Sequence, residues 1–389
     1  MKAQIILGDV RTALRKVAEE SVQTCITSPP YWGLRDYGED NQIGLEQTPD
    51  EYVAEMVNVF REVWRVLRND GTVWLNIGDS YASARDSKSV PDSLRNGDGT
   101  AVGKAANRNP ANLKSAGLKH KDLAGIPWRV AFALQADGWY LRQDIIWNKP
   151  NPMPESVTDR CTKSHEYIFL LTKSSKYYFD NMAIREPQAQ ATIKDIAGRK
   201  TLDNKGTFGG VRADLGRSRD EYVPSDGLRN KRSVWNVNTK PFKGAHFAVM
   251  PEALVSPSVL AGTPLGGCCS QCLTPYKRQI EYGKIAERST RVDTLNVIPG
   301  RDKPSRLQST NMETIPKITV GWIQSCNCEA SEPQPSLVLD PFTGSGTVAV
   351  VALQNNCNFI GTELNPEYIK IAEKRILDSN PMFNEVEII

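Results

Sequence analysis

The sequence predicts an α/β fold with a mostly parallel sheet and helices on both faces. Two observations carry that expectation. Short β-prone runs alternate with helical stretches at strand–helix–strand spacing, which calls for parallel strands joined by right-handed crossovers. Polar signatures also fall where strands end, and in such sheets ligands gather at the carboxyl ends of strands. Three ends stand out: Gly8-Asp9, Ser28 to Tyr31, and Asp340 to Gly346.

Residues 22–27 (VQTCIT) form a β-prone run that stops at Ser28-Pro29-Pro30. Thr48-Pro49-Asp50-Glu51 is a helix start, with a capping box from Thr48 to Glu51 and proline at the first helical position. Val53, Met56, Phe60, Val63 and Leu67 share one face of that helix, and Asn69-Asp70-Gly71 is expected to end it before a strand at 72–77. A helix over 126–136 precedes strands near 140–147, 166–171 and 176–179. Near the C-terminus come a buried strand at 337–340, a glycine turn (FTGSGT) and a helix at 347–355. A strand at 359–363 and a helix over 366–378 capped by Asn365 follow.

No run approaches the roughly 18 apolar residues of a membrane span, and the N-terminus lacks a signal-peptide layout. A chain of 389 residues can bury a core without disulfide staples. A reducing, cytoplasmic compartment is therefore expected, and the eight cysteines need an account other than bridges. The formal net charge of +3 hides a segregation. Residues 83–122 hold eight Lys/Arg against four Asp/Glu, 185–245 thirteen against seven, and 277–306 eight against four. Together these stretches carry +14, leaving −11 on the remainder. All three are poor in apolar periodicity and read as insertions, the first expected to be mobile. Basic insertions on an acidic scaffold form an electrostatic footprint for a polyanion.

The turn Asp340-Pro341-Phe342-Thr343-Gly344-Ser345-Gly346-Thr347 joins a strand to a helix. Glycines there let a ligand approach the backbone, and the helix start offers N–H groups. The spacing Gly344-x-Gly346-x-x-Ala349 also fits a dinucleotide fingerprint. Asp340 argues against that ligand, because a carboxylate repels pyrophosphate and suits a cationic amino-acid group. Glu363, ending the next strand, can bind ribose hydroxyls. An adenosine with an ammonium and no phosphate describes S-adenosyl-L-methionine.

With these residues in view, the chain resembles a β-type amino-group DNA methyltransferase, the cytosine-N4/adenine-N6 family in which the catalytic motif precedes the cofactor motif. Thr27-Ser28-Pro29-Pro30-Tyr31-Trp32 is similar to the catalytic motif and Asp340 to Gly346 to the cofactor motif. Leu7-Gly8-Asp9 resembles the strand end that meets the adenine, and residues 246–254 resemble the cofactor-flanking segment. Trp147-Asn148-Lys149-Pro150 and Arg160 with His165-Glu166-Tyr167 resemble motifs near the target-base pocket. The resemblance covers nearly the whole chain apart from the three basic insertions and implies a Rossmann-like S-adenosylmethionine-dependent methyltransferase fold, circularly permuted in motif order, to which charge and cysteine spacing add basic and zinc-ribbon-like insertions. Its implied catalytic residues are Ser28, Pro29, Pro30 and Tyr31. Its implied cofactor residues are Asp9, Asp340, Pro341, Phe342, Gly344, Ser345, Gly346, Thr347 and Glu363.

The residue types suit the chemistry. An exocyclic amine is conjugated with its ring, so its lone pair is a poor nucleophile. The Ser28 hydroxyl and Pro29 carbonyl can accept both amino hydrogens and turn that lone pair toward a methyl group. Tyr31 can stack on the extruded base. Phe169, Tyr177, Tyr178 or Phe179 are candidates for the opposite wall, with core packing the plainer role for each. Ring-carbon methylation would need a Pro-Cys nucleophile, a dipeptide that does not occur. Serine at the first motif position favours cytosine N4 over adenine N6 by resemblance. His165 beside Glu166 is a candidate base, against a plain structural histidine.

Cys269 and Cys272, then Cys326 and Cys328 after 53 residues, supply the four thiolates of a structural zinc site, with Cys268 able to substitute. The expected organisation is a catalytic-motif part (1–82), a basic insertion (83–122), base-pocket strands (123–184) and a target-recognition region (185–245). A cofactor-flanking segment (246–266), a zinc insertion (267–330) and a cofactor-binding part (331–389) follow. Expected partners are double-stranded DNA and a cognate restriction endonuclease, with no membrane. The rival functions are the same chemistry on RNA or a protein glutamine, and a nucleic-acid-binding protein without catalysis.

Overall fold

The computed structural model describes residues 1–34, 38–39, 41–82, 117–189, 226–239, 249–283, 317–329, 332–382 and 384–389. The basic stretches 83–122, 185–245 and 277–306 lie largely outside these residues, as do positions 246–248 of the flanking segment. Two compact units are present: residues 1–184, 232–277 and 324–389 form the larger, and 185–231 with 278–323 the smaller.

The larger unit is built on nine strands: β1 (Lys2–Leu7), β2 (Val22–Thr27), β3 (Leu67–Ile77), β4 (Tyr140–Asn148), β5 (His165–Thr172), β6 (Val234–Asn236), β7 (Leu337–Asp340), β8 (Asn358–Glu363) and β9 (Glu385–Ile388). Their spatial order is β9-β1-β8-β7-β2-β3-β5-β4-β6. Neighbours run parallel except where β5 pairs antiparallel with β3 and β4. The helices are α1 (Val10–Ala13), α2 (Pro49–Val66), α3 (Ile126–Ala136), α4 (Glu252–Gly262), α5 (Thr347–Gln354) and α6 (Pro366–Ser379). None among the described residues is long and apolar enough to cross a membrane.

Alternate strand residues point to opposite faces, so the sheet carries two cores. Cys25, Val73, Leu75 and Phe169 pack with α2 and α3 on one side. Ile26, Trp74, Ile168 and Leu170 pack with α4, α5 and α6 on the other. The capping box at α2 is formed, with Thr48 Oγ1 accepting from Glu51 N and Glu51 reaching back to Thr48 N. The buried face of α2 is wider than the expected stripe: Tyr52, Val59 and Val66 join Met56, Phe60 and Val63, while Val53 is half-buried.

Two local expectations are corrected. Asn69-Asp70-Gly71 does not end α2; Leu67 is already extended, and the triplet lies inside β3. The β2–β3 register jumps from Val22↔Leu67 to Thr24↔Thr72, so the turn-prone triplet is absorbed as a bulge instead. Residues 176–179 form no strand, because their backbone makes single contacts and no ladder: Tyr178 N donates to Asp70 O in the β3 bulge at 2.8 Å, and the adjacent Asp180 N to Ala261 O of α4 at 2.9 Å. The edge strands β6 and β9 and the helix α4, which contains Pro257, carry weak sequence signals and were not expected.

The strand Lys277–Tyr282, in the smaller unit from Arg278 on, pairs with Lys317–Ile323, and Glu186–Pro187 of that unit runs antiparallel to Leu228–Arg229. Arg185 is ion-paired with Asp226, and Arg229 with Glu186 at 3.0 Å.

Candidate active site

Adjacent parallel strands end side by side, so the sheet order itself assembles the site. Reading across β1, β8, β7, β2 and β3, the residues at those ends are Asp9, Glu363, Asp340, Ser28 and Asn76. Because β5 runs the other way, its first residues reach the same edge, and Glu166 faces Trp147 of β4. All of these line one cavity of about 290 Å³, together with Pro29, Pro30, Tyr31, Lys149, Met250, Pro341, Phe342, Gly344, Ser345 and Thr347.

Asp9 caps α1 by accepting from Arg11 N at 2.8 Å. Hydrogen bonding from the Arg11 side chain outweighs burial and holds its carboxyl below the usual range. Asp340, at the end of β7, is buried and its carboxyl is pushed up to about 7 by that burial. Its Oδ1 accepts from Thr27 Oγ1 at 2.7 Å and from Phe342 N at 3.0 Å, so it pins the end of β2 to the glycine turn. Glu363 closes the turn from the other side, accepting from Gly344 N at 2.8 Å and Asn365 N at 2.9 Å. Burial pushes its carboxyl up as well. Gly346, the N-cap of α5, has φ +77°, and a Cβ there would lie 3.0 Å from Ala372 Cβ. Only glycine meets both demands, and α6 packs against the turn as a result.

The loop after β2 is held by Tyr52, whose hydroxyl donates to Pro30 O at 2.9 Å. The Tyr31 ring lies against Gly78, where a Cβ would come 2.6 Å from the ring edge. Ser28 Oγ donates to Tyr31 Oη at 3.3 Å, and Tyr31 Oη donates to Glu166 Oε2 at 2.7 Å. Asn76 Nδ2 donates to the same carboxylate oxygen at 3.2 Å, and Lys149 pairs with the other oxygen. Lys149 Nζ also lies 4.4 Å from the centre of the Trp147 ring. Burial, and then the Glu166 charge, push the Tyr31 phenol well above its ordinary range, so it remains a donor.

The cavity therefore brings together Asp9, Ser28 to Tyr31, Asp340 to Gly344, Ser345, Thr347 and Glu363. Gly346 shapes the turn beside it. The four aromatics considered for a second wall are not among its lining residues. Phe169 stacks on Tyr167 in the core and Phe179 on Trp74. Trp147 and Glu166 line it instead, as does Asn76, which the sequence reading left out. The signal for Asn76 was present: a lone amide ending the apolar run TVWLNI. His165 packs edge-on against Tyr167, its imidazole held below the usual range by burial.

Away from the cavity, the sulfurs of Cys269, Cys272, Cys326 and Cys328 all lie within 4.8 Å of one another. Cys268 is not part of that group, because its Sγ lies 3.2 Å from Ser336 Oγ.

Residues 22–269 and 328–374 match the family of N6/N4 methyltransferases described as DNA methylase. The chain is 40% identical to the Type II methyltransferase M.Cfr9I of Citrobacter freundii across 96% of its own length and 87% of that protein. It is 38% identical to M.SmaI of Serratia marcescens across 96% and 90%. Among solved structures, the PvuII DNA methyltransferase, described as cytosine-N4-specific, shares the fold with a TM-score of 0.50 and 16% identity, over 97% of this chain and 87% of that one.

Proposed function

The chain belongs to the N6/N4 DNA methylase family, and from that premise we propose that it methylates the N4 amine of cytosine at a defined sequence in double-stranded DNA. The methyl donor is S-adenosyl-L-methionine. The observation that carries the reading is the 2.7 Å bond from Thr27 Oγ1 to Asp340, which fastens the Ser28–Tyr31 loop to the glycine turn at the edge of one cavity.

The residues fit this cofactor. Two neighbouring carboxyls, Asp340 and Glu363, are pushed up by burial, and a cation between the strand ends offsets that cost. Phe342 and Met250 give the same cavity apolar surface for an adenine. When bound, S-adenosyl-L-methionine supplies a methyl group on a positively charged sulfur. Ser28 and the Pro29 carbonyl accept the two amino hydrogens of an extruded base and aim the nitrogen lone pair at that methyl. Asp340 and Glu363 would hold the cofactor beside them while it gives up that methyl to the nitrogen and keeps the S–C electron pair on its sulfur. The proton shed by the methylated amine has a path along Ser28, Tyr31 and Glu166, at 3.3 and 2.7 Å. Lys149 and Asn76 hold Glu166 in place for that role.

Serine rather than aspartate at position 28 supports cytosine over adenine. Digestion of methylated duplex DNA to nucleosides followed by mass analysis checks this: N4-methyl-2′-deoxycytidine is the expected product, and N6-methyl-2′-deoxyadenosine would overturn the base assignment while leaving the transfer chemistry intact. Gly78→Ala provides a second check, since its Cβ displaces the Tyr31 ring. Turnover is expected to fall about tenfold with little change in melting temperature, because small misplacements at a reacting centre are costly. A cognate endonuclease recognising the same sequence completes the proposal.

A further inference from the structure

We infer that Cys269, Cys272, Cys326 and Cys328 bind one structural zinc ion that closes the base of the segment they flank. Tetrahedral zinc with Zn–S bonds near 2.3 Å places its sulfurs about 3.8 Å apart; here all four lie within 4.8 Å, so small side-chain rotations complete the shell. The backbone already has the form of a metal knuckle. Gln271 N donates to Cys269 Sγ at 3.4 Å, Leu273 N to Cys269 O at 2.9 Å, and Cys269 N to Thr274 O at 2.9 Å. Leu273 takes the left-handed conformation, φ +59°, that folds this turn back. The second pair is delivered by independent bonds: Ser325 Oγ to Pro275 O at 2.7 Å and Gln271 Nε2 to Glu329 O at 3.2 Å. Arg68, on the β3 bulge, donates to Cys272 O at 2.9 Å and fixes the knuckle to the sheet.

Four thiolates leave zinc no open position, so the ion serves structure and not chemistry. Its role follows from connectivity. Cys272 precedes the strand Lys277–Tyr282 by a few residues, and Cys326 follows Lys317–Ile323 as closely. A metal joining them closes a loop of 53 residues and removes the chain entropy that would otherwise pull those strands apart.

The full-length chain, purified under reducing conditions from zinc-supplemented medium, is expected to carry one zinc per chain by elemental analysis. Stripping the metal with a chelator should lower the melting temperature by about 5 °C or more. It should also raise hydrogen exchange at least tenfold in residues 277–282 and 317–323, with β1, β7 and β8 unchanged; zinc alone should restore both. Cys272→Ser and Cys326→Ser should lose the metal, and Cys268→Ser should keep it. Protein without stoichiometric zinc, or with a disulfide between these pairs, would overturn the site. Loss of zinc in Cys268→Ser would overturn the ligand set. Unchanged exchange after stripping of the wild-type chain would overturn the closing role even if the serine variants fail to fold. None of these readouts depends on methyl transfer.

Discussion

Ser28→Ala is expected to lower turnover about a hundred- to a thousandfold, the range for losing one positioned hydrogen-bond partner at a reacting centre. Binding of S-adenosyl-L-methionine and melting temperature should be nearly unchanged, because the Ser28 hydroxyl is half-buried and its bond to Tyr31 is long, at 3.3 Å. Single-turnover transfer of a labelled methyl group to duplex DNA measures the effect, with calorimetry on the cofactor as control. Tyr31→Phe separates two contributions. It keeps the ring against Gly78 but removes the bond to Glu166, so it tests the proton path without removing the stacking surface. Full activity in Ser28→Ala would sink the mechanism; full activity in Tyr31→Phe alone would remove only the relay.

Asp340→Asn is expected to weaken S-adenosyl-L-methionine binding about ten- to a hundredfold above pH 7, since a bond to a charged group contributes about 1.5–3 kcal/mol. The variant keeps an oxygen for Thr27 and Phe342, so loss of the turn is not the expected cause. The pH dependence has a definite sign. The Asp340 carboxyl is raised to about 7 by burial, and a cation is drawn to its ionised form. Wild-type affinity should therefore fall as pH drops below about 7 and level off above it, whereas the variant should lack that inflection. Stability of the free protein moves the opposite way. The folded state holds this proton more tightly than the unfolded chain, so stability is greatest below the ordinary carboxylate range and declines as pH rises to about 7. Binding titrations from pH 6 to 8.5 check the first statement. An identical inflection in Asp340→Asn would assign the titration to another group, with Glu363 the next candidate.

Much of this site was readable because each piece is local. A strand ending in Ser-Pro-Pro-Tyr and another ending in Asp-Pro-Phe with a glycine turn declare themselves within a few residues, as do the caps of α2 and α6. What was not readable depends on register. Asn76 reaches Glu166 only because β3 and β5 pair antiparallel with Asn76 opposite Ile168, a match between segments 90 residues apart. The adjacent cysteines 268 and 269 pose the same problem. Successive strand residues face opposite sides, so one joins the sulfur cluster and the other meets Ser336, and composition alone does not say which. The bulge in β3 was hidden because Asn-Asp-Gly has the composition of a turn whether or not the chain reverses there.

The sheet order also imposes a timetable. β2, which leads into the loop proposed to handle the base, has β7 as one of its neighbours, and Thr27 and Asp340 are 313 residues apart. β1 likewise lies between β8 and β9, the last two strands among the described residues. At about 5–20 residues per second of synthesis, a ribosome that has released Ser28 needs about 15 seconds or longer before Asp340 emerges to join it. Until then the half proposed to grip a base lacks its proposed cofactor-binding neighbour, so methyl transfer by the nascent chain is expected only once β7 has joined β2.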